Sequence, residues 1–269
     1  MYLHITPLPL NYRPPHSIRY GLKRRKELTS DDVRRLVFQS IDMISEVQSK
    51  LRLPICPNLS ETFKRLSAGT FHASPLANKR NGLYYMKYGS FDPPATITMN
   101  SRLPFSDRPY NLPEVPRTLS YYTATHEVIH VDDFLGGDRL FNATREHILK
   151  SHRDKLSRGM QIIEDGGNGD CIGCPDDLAS LWAMQYVDML THYRAYLVLR
   201  HKRFPRLDLL WSRMQSDFFP PSLLTRIERD KDTRYIFDEI IGRAGEYCLI
   251  DALNESESIG EKVACRYTV

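Results

Sequence analysis

The chain has 269 residues, of which 41% are hydrophobic and 26% are charged, and it carries a formal net charge of +4 at pH 7. This composition is typical of a globular protein with enough apolar material for a sizeable core, and the length favours a single domain. No segment approaches the roughly 18 consecutive apolar residues that a membrane-spanning helix needs, so we expect no membrane span.

The N-terminus lacks the basic segment followed by an apolar one that is typical of a secretion signal, so we expect a cytoplasmic protein with reduced thiols. The cysteines, of which there are five, include one close pair, Cys171 and Cys174 in Cys-Ile-Gly-Cys. This pair is typical of half a tetrahedral metal site, of a disulfide, or of two thiols in a turn. A second metal would need a third region, for which Cys56, Cys248 and Cys265 are candidates.

Residues 1–29 are rich in proline and basic residues and are interpreted as an N-terminal arm. Its longest basic run, Lys23–Lys26, is either a solvated turn or a contact for nucleic acid or a membrane surface. A helix is predicted next, with Ser30 as its N-cap and apolar residues at helical spacing up to about Leu51.

A change of pattern over residues 84–100 predicts two strands. Tyr84–Tyr88 and Ala95–Asn100 are short and rich in aromatic and β-branched residues, and the segment Gly89–Pro94 has the composition of a turn. Residues 101–117 hold four prolines and no periodicity, which predicts a loop.

The remainder of the chain is predicted to be mostly helical. One helix should run from Arg117 to about Leu135, where Gly136 and Gly137 end it, and a second from about Arg139 to Arg158. After a glycine-rich loop over residues 164–175, a long helix should begin near Pro175 and reach about Lys202. Further helical pieces are expected at 206–217, 221–230 and 233–253.

The predicted order of helix, small sheet and mostly helical C-terminal half indicates the α+β class. We expect residues 30–269 to form one domain, with a helical extension from about residue 206.

Residues 126–130 read His-Glu-Val-Ile-His, which is the strongest chemical signal in the chain. On a helix, His126 and His130 project from one face about a turn apart, so two imidazole nitrogens can bind one Zn²⁺ ion. Glu127 can then take a proton from a metal-bound water and act as general base.

This motif, preceded by the candidate strand Ala95–Asn100, resembles the core of the zincin metallopeptidases. The resemblance implies a small sheet whose edge strand lies beside the active-site helix and pairs with an extended peptide or protein substrate. Residues 95–100 are the best candidate for that edge strand. The metzincin branch is excluded, because Asp133 stands where its motif needs glycine and Gly136 where it needs a third histidine.

The third metal ligand is less directly indicated. Leu190–Ala195 is similar to a Leu-Thr-Glu-Tyr-Arg-Ala pattern of some microbial zincin-like proteins, in which the glutamate would be the ligand; here His192 replaces it. Three histidines and a water form a known catalytic zinc set, so His192 is the predicted ligand. Asp188, one turn earlier, is the first alternative, and the other candidates are Glu146, His147 and Glu164.

Two supporting roles follow from the chemistry. A metal-bound histidine usually donates its second nitrogen to a carboxylate, for which Asp132 or Asp133 could serve. Peptide hydrolysis also needs a donor to the developing oxyanion, and Tyr193 is the predicted one, with Arg194 and Tyr196 as alternatives.

The sequence therefore predicts a zinc-dependent hydrolase, most simply a metallopeptidase. A second hypothesis is a zincin-fold metal-binding protein with a regulatory or interaction role and no peptidase activity. A third is a nucleic-acid-associated factor that uses the basic arm and the Cys-Ile-Gly-Cys loop. Substrate specificity and oligomeric state are not indicated.

Overall fold

The computed structural model describes residues 26–80, 83–86, 88–105, 114–166 and 174–210. Most of the predicted N-terminal arm, Cys171, Cys248 and Cys265, and the helical pieces expected beyond residue 210 lie outside the described residues. In the part of the chain that the structure describes, no helix has the length and apolar character to cross a membrane.

The first helix, α1, spans Ser30–Leu51 as predicted, but its N-cap is Thr29 and not Ser30. The Thr29 hydroxyl accepts a hydrogen bond from the backbone N–H of Asp32 (3.2 Å), and the Asp32 carboxylate accepts one from the backbone N–H of Thr29 (3.0 Å). This reciprocal pair is a capping box, and it satisfies two donors that a helix start otherwise leaves unpaired. Arg52, in a left-handed conformation with φ of 53°, ends the helix.

A short helix and five strands follow α1 in the chain. They are α2 (Leu59–Ser67), β1 (Thr70–Ser74), β2 (Ala77–Arg80), β3 (Leu83–Met86), β4 (Gly89–Asp92) and β5 (Thr96–Asn100). The strands β1, β5 and β4 form a sheet in that order, in which β1 is parallel and β4 antiparallel to β5. The strands β2 and β3 form a separate antiparallel hairpin.

Two predictions about the strands are wrong. Ala95–Asn100 was expected at the edge of the sheet, but β5 is the central strand, with the side chains of Ile97 and Met99 fully buried. The edge strand beside the histidine-bearing helix is β4, which lies where the sequence predicted a turn. The turn predicted over Gly89–Pro94 is therefore wrong at Gly89–Asp92, which form β4.

A 3-10 turn and four long helices follow: the 3-10 turn Leu103–Phe105, α3 (Glu114–Leu135), α4 (Arg139–Ser151), α5 (Arg153–Gly166) and α6 (Pro175–His201). Residues 207–210, the last ones described, are helical as well. The bounds of α3 and α6 confirm the two long predicted helices. The single helix predicted from Arg139 to Arg158 is instead two helices, α4 and α5, which are separated at His152.

The helices α3 and α6 lie at the centre of the fold. The helix α3 packs against α1, α6, α2 and β4, and α6 also packs against α4 and α5. As a result, every residue of 122–129 on α3 and of 189–196 on α6 is buried. The α+β class is confirmed, and its core is formed around the middle turns of α3 and α6, including Val128, Ile129, Trp182 and Leu190.

Candidate metal centre

The contact between α3 and α6 brings together titratable side chains from both helices. Tyr122, His126 and His130 follow each other at intervals of four residues on α3, and Asp188 and His192 have the same spacing on α6. Residues four apart lie on one face of a helix, so each helix presents a polar stripe to the other. Charged and imidazole groups are rarely this deeply buried without a partner or a function.

The ring nitrogens of His126 and His130 converge on the carboxylate of Asp188. Oδ1 of Asp188 lies 3.0 Å from Nε2 of His126 and 3.2 Å from Nε2 of His130. The ligand atoms of these three side chains lie within 4.8 Å of one another, so they could hold a metal ion. The group opens on one side, since the side chains of His130 and Asp188 remain 26% and 13% exposed.

The geometry of this group fits a zinc ion. Zinc binds imidazole nitrogen and carboxylate oxygen at about 2.0–2.2 Å, so two ligands of a tetrahedral ion lie about 3.3 Å apart. The distances of 3.0 and 3.2 Å from Oδ1 of Asp188 to the two nitrogens are close to that value. In addition, Nε2 of His126 is fully buried but makes no hydrogen bond of acceptable geometry. A nitrogen in this condition is suited to a metal ion.

The electrostatics of the group also favour a cation. Burial by itself lowers the pKa of His126, but the carboxylates of Asp188 and Glu127 outweigh it and raise that pKa to about 9. Burial raises the pKa of Asp188, yet the neighbouring rings of His192, His126 and His130 together bring it well below its usual value. Without a metal ion, the buried carboxylates therefore retain a proton on His126.

Glu127 is buried beside the histidines and is only 5% exposed. Its Oε1 atom lies 3.5 Å from Nδ1 of His126. Burial raises the pKa of the Glu127 carboxyl, but His126 and His130 lower it by more, so the net shift is downward. The carboxylate is thus ionised near neutral pH, as a general base must be.

His192 lies next to the converging group without being one of its three members. Its Nε2 is 3.5 Å from Oδ2 of Asp188, and its ring stacks on that of His126 with the centroids 4.1 Å apart. Asp188, which the sequence ranked second as third ligand, is the side chain that joins His126 and His130. A direct metal bond from His192 stays a prediction.

Tyr122 is hydrogen-bonded to His192, a contact that the sequence analysis missed. The Tyr122 hydroxyl lies 2.8 Å from the ring nitrogen Nδ1 of His192 and 3.1 Å from the backbone carbonyl of the same residue. Burial lowers the pKa of His192 to about 4, so the ring is neutral near pH 7. The position of Tyr122, four residues before His126, is the signal that could have identified it.

The remaining ligand candidates lie elsewhere. Glu146 is exposed on α4 and pairs with Lys150 at 2.5 Å, and His147 on the same helix is in contact with Ser151 and with the ring of His152. The side chain of Glu164 lies outside the described residues.

The two aspartates that follow the motif hold α3 in place and do not contact the histidines in the described structure. Asp132 accepts hydrogen bonds from the backbone of Asn58 and the hydroxyl of Thr62, both at 3.0 Å. Asp133 forms a buried double ion pair with Arg194. The oxyanion role of Arg194 stays a prediction.

Tyr193 and Tyr196 are both buried on α6, at 2% and 8% exposure. The oxyanion role of Tyr193 stays a prediction, as does that of Tyr196.

Cys174 is a free thiol and the N-cap of α6, with its Sγ 3.3 Å from the carboxylate of Asp177. The disulfide considered for Cys171 and Cys174 is therefore wrong. A metal shared by this pair stays a prediction, since Cys171 lies outside the described residues.

Comparison with known proteins gives no relative: no protein family, curated protein or solved structure matches the chain. What the chain does must therefore be inferred from the site itself.

Proposed function

We propose that the chain is a metal-dependent hydrolase in which His126, His130 and Asp188 bind zinc and Glu127 is the general base. The observation that carries this proposal is the convergence of the two ring nitrogens and the Asp188 carboxylate within 4.8 Å, with Glu127 next to them. Two imidazoles and a carboxylate form a common three-ligand set for catalytic zinc, which leaves a further position for water or substrate. When bound, zinc lowers the pKa of a coordinated water to about 7 and polarises a carbonyl group.

Each side chain has a separate task in this reaction. Asp188 completes the ligand set with His126 and His130 and balances the charge of the ion, and its second oxygen faces the ring of His192, which is hydrogen-bonded to Tyr122. Glu127 accepts the proton of the attacking water and, once protonated, can pass it to the leaving group.

A peptide bond is the proposed target, and the support comes from the sheet beside the site. The strand β4 is the edge strand of its sheet and packs against α3. An exposed strand edge can pair with an extended peptide through main-chain hydrogen bonds, as in the zincins that the motif resembles. Tyr193 is the proposed donor to the oxyanion.

Glu127→Gln tests this function. The substitution keeps the size of the side chain but removes its basicity, so we expect at least a hundredfold loss of kcat against an unfolded protein such as casein. Zinc content, measured by elemental analysis, should remain that of the wild type. Glu61→Gln on the exposed face of α2 is the matched control and should retain full activity. Full activity in Glu127→Gln would rule out the proposed base.

A second candidate function is a closed metal site without hydrolysis, and the position of His192 favours it. A small movement of this ring, whose Nε2 is 3.5 Å from Oδ2 of Asp188, would supply a fourth protein ligand. Zinc with four protein ligands is typical of structural sites. A wild-type chain that retains zinc but cleaves no unfolded protein would favour this function.

A further inference from the structure

The strand β4 approaches the proposed base more closely than any side chain at its first residue would allow. A Cβ atom placed on Gly89 would lie 2.7 Å from Oε1 of Glu127 and 2.7 Å from Cγ2 of Thr123. Both distances are shorter than Cβ atoms show in real structures, so a side chain at this position requires something to move. Gly89 is therefore required for space.

Backbone conformation does not explain this glycine. Among the glycines that the structure describes, Gly137 is the one with a positive φ. The backbone of Gly89 therefore has a conformation that any L-residue can adopt. In the wild type, Gly89 is the point at which β4 touches the middle of α3.

We propose that Gly89 is a positioning residue for Glu127: the absence of a side chain at Gly89 sets where the carboxylate lies beside His126. This role rests on the proposed function, because it gives Glu127 its place as the base. The carboxylate lies between the His126 ring, with Nδ1 at 3.5 Å, and the backbone of β4.

The fold determines what gives way when a methyl group is added at Gly89. The strand β4 is held in place on both sides. Gly89 is paired with the fully buried Met99 of β5, and the ring of Phe91 packs on that of Phe134 of α3 with the centroids 5.7 Å apart. The Glu127 carboxylate is the end of a flexible side chain and can rotate. We therefore expect an added methyl group to displace the carboxylate while the fold is kept.

The first test is the activity of Gly89→Ala. A misplaced base lowers the rate of the chemical step more than substrate binding, so we expect kcat against unfolded casein to fall at least tenfold and KM to change less than twofold. The zinc affinity should remain within twofold of the wild type, because the three ligands are untouched.

Gly69→Ala is the matched control for general damage to the sheet. A Cβ atom at Gly69 would lie 2.6 Å from the backbone oxygen of Ala95. Gly69 is distant from Glu127 in the sequence, and Glu127 is not among the residues that this Cβ atom would meet. This variant should lose thermal stability but retain kcat in the fraction that remains folded. An equal fall of kcat in both variants would overturn the positioning role.

The second test requires no activity. We expect Gly89→Ala to lower the Tm, and the additional change Glu127→Ala to recover part of that loss, because it removes one of the two side chains that the methyl group meets, the other being Thr123. Glu127→Ala should recover nothing in the Gly69→Ala background. Additive losses in the Gly89→Ala background would show that the methyl group does not press on Glu127 and would overturn the proposal.

The two tests separate the failure of this inference from the failure of the proposed function. A wild-type chain that binds zinc and cleaves no unfolded protein would overturn both. An active wild type with additive Tm losses would overturn the role of Gly89 and leave the hydrolase intact. Should Gly89→Ala fail to fold even with Glu127→Ala, the contact with Thr123 and not the one with Glu127 is what requires a glycine, and the proposal is also overturned.

Discussion

Asp188 presents its two carboxylate oxygens to different histidines. Oδ1 lies between the Nε2 atoms of His126 and His130, and Oδ2 faces Nε2 of His192. A metal ion bound to His126 and His130 therefore meets Asp188 before it meets His192. This arrangement makes Asp188 the first choice for the third ligand and His192 a group that orients it.

Substitution of Asp188 and of His192 should separate these two roles. We expect Asp188→Asn to abolish the retention of zinc through dialysis, because an amide is a poorer ligand than a carboxylate. His192→Gln should keep one zinc ion per chain, with an affinity lowered by roughly 10–100-fold, as is typical when an outer partner of a ligand is removed. Elemental analysis and competition with a zinc-binding dye measure both quantities.

Asp42→Asn, on the exposed face of α1, is the control for the loss of a carboxylate and should bind zinc normally. The reverse order, with zinc lost in His192→Gln and kept in Asp188→Asn, would make His192 the third ligand.

Only part of this site could be predicted at the residue scale. The spacing of His126, Glu127 and His130 is local information within one helix, and it placed these residues correctly on α3. The choice between Asp188 and His192 depends on how far α6 is displaced along α3 in the packed structure. Both residues lie on the same face of α6, so the helical pattern alone could not distinguish them.

At the scale of elements, α1 carries a capping box whose strength depends on pH. The backbone hydrogen bond from Thr29 lowers the pKa of Asp32, with the Thr29 hydroxyl and Arg35 acting in the same direction. Because the folded-state pKa lies below the unfolded value of about 3.9, Asp32 contributes stability above that value. The contribution is lost as the pH falls through the folded-state pKa.

We expect Thr29→Ala to lower the free energy of unfolding by about 1 kcal/mol at pH 7, the usual cost of losing an N-cap side chain. Asp32→Asn should also destabilise the protein at pH 7, and the difference from the wild type should shrink as the pH falls below about 4. Urea unfolding at several pH values measures this difference. Asp42→Asn is the control, and an Asp32→Asn effect that stayed constant down to acidic pH would contradict the assignment.

The elements that the sequence predicted well are those that local interactions define. The helices α1, α3 and α6 begin and end within three residues of the predicted bounds, because caps, prolines and glycines mark their ends. The sheet was predicted poorly, since β1 and β4 are defined by pairing with β5 and not by their own pattern. Gly89, and the Pro93–Pro94 pair that follows β4, gave residues 89–94 the composition of a turn.

For the whole molecule, the candidate metal centre is a link between the two most central helices. The helix α3 also contacts α1 and the sheet, and α6 also contacts α4 and α5. An ion bound by His126 and His130 from α3 and by Asp188 from α6 would therefore join the two halves of the core. It would also supply the positive charge that the two buried carboxylates, Glu127 and Asp188, otherwise obtain from protonated His126.

The stability of the whole chain should consequently depend on zinc. At a zinc concentration about a thousandfold above the Kd, a ligand that binds only the folded state stabilises it by about 4 kcal/mol. For a domain of this size that corresponds to a Tm increase of roughly 8–16 °C, measurable by differential scanning calorimetry before and after treatment with a chelator. Glu127→Gln should retain this increase and Asp188→Asn should lose it, because only the second variant removes a proposed ligand. An equal increase in Asp188→Asn would place the stabilising ion at another site and would remove the link between α3 and α6.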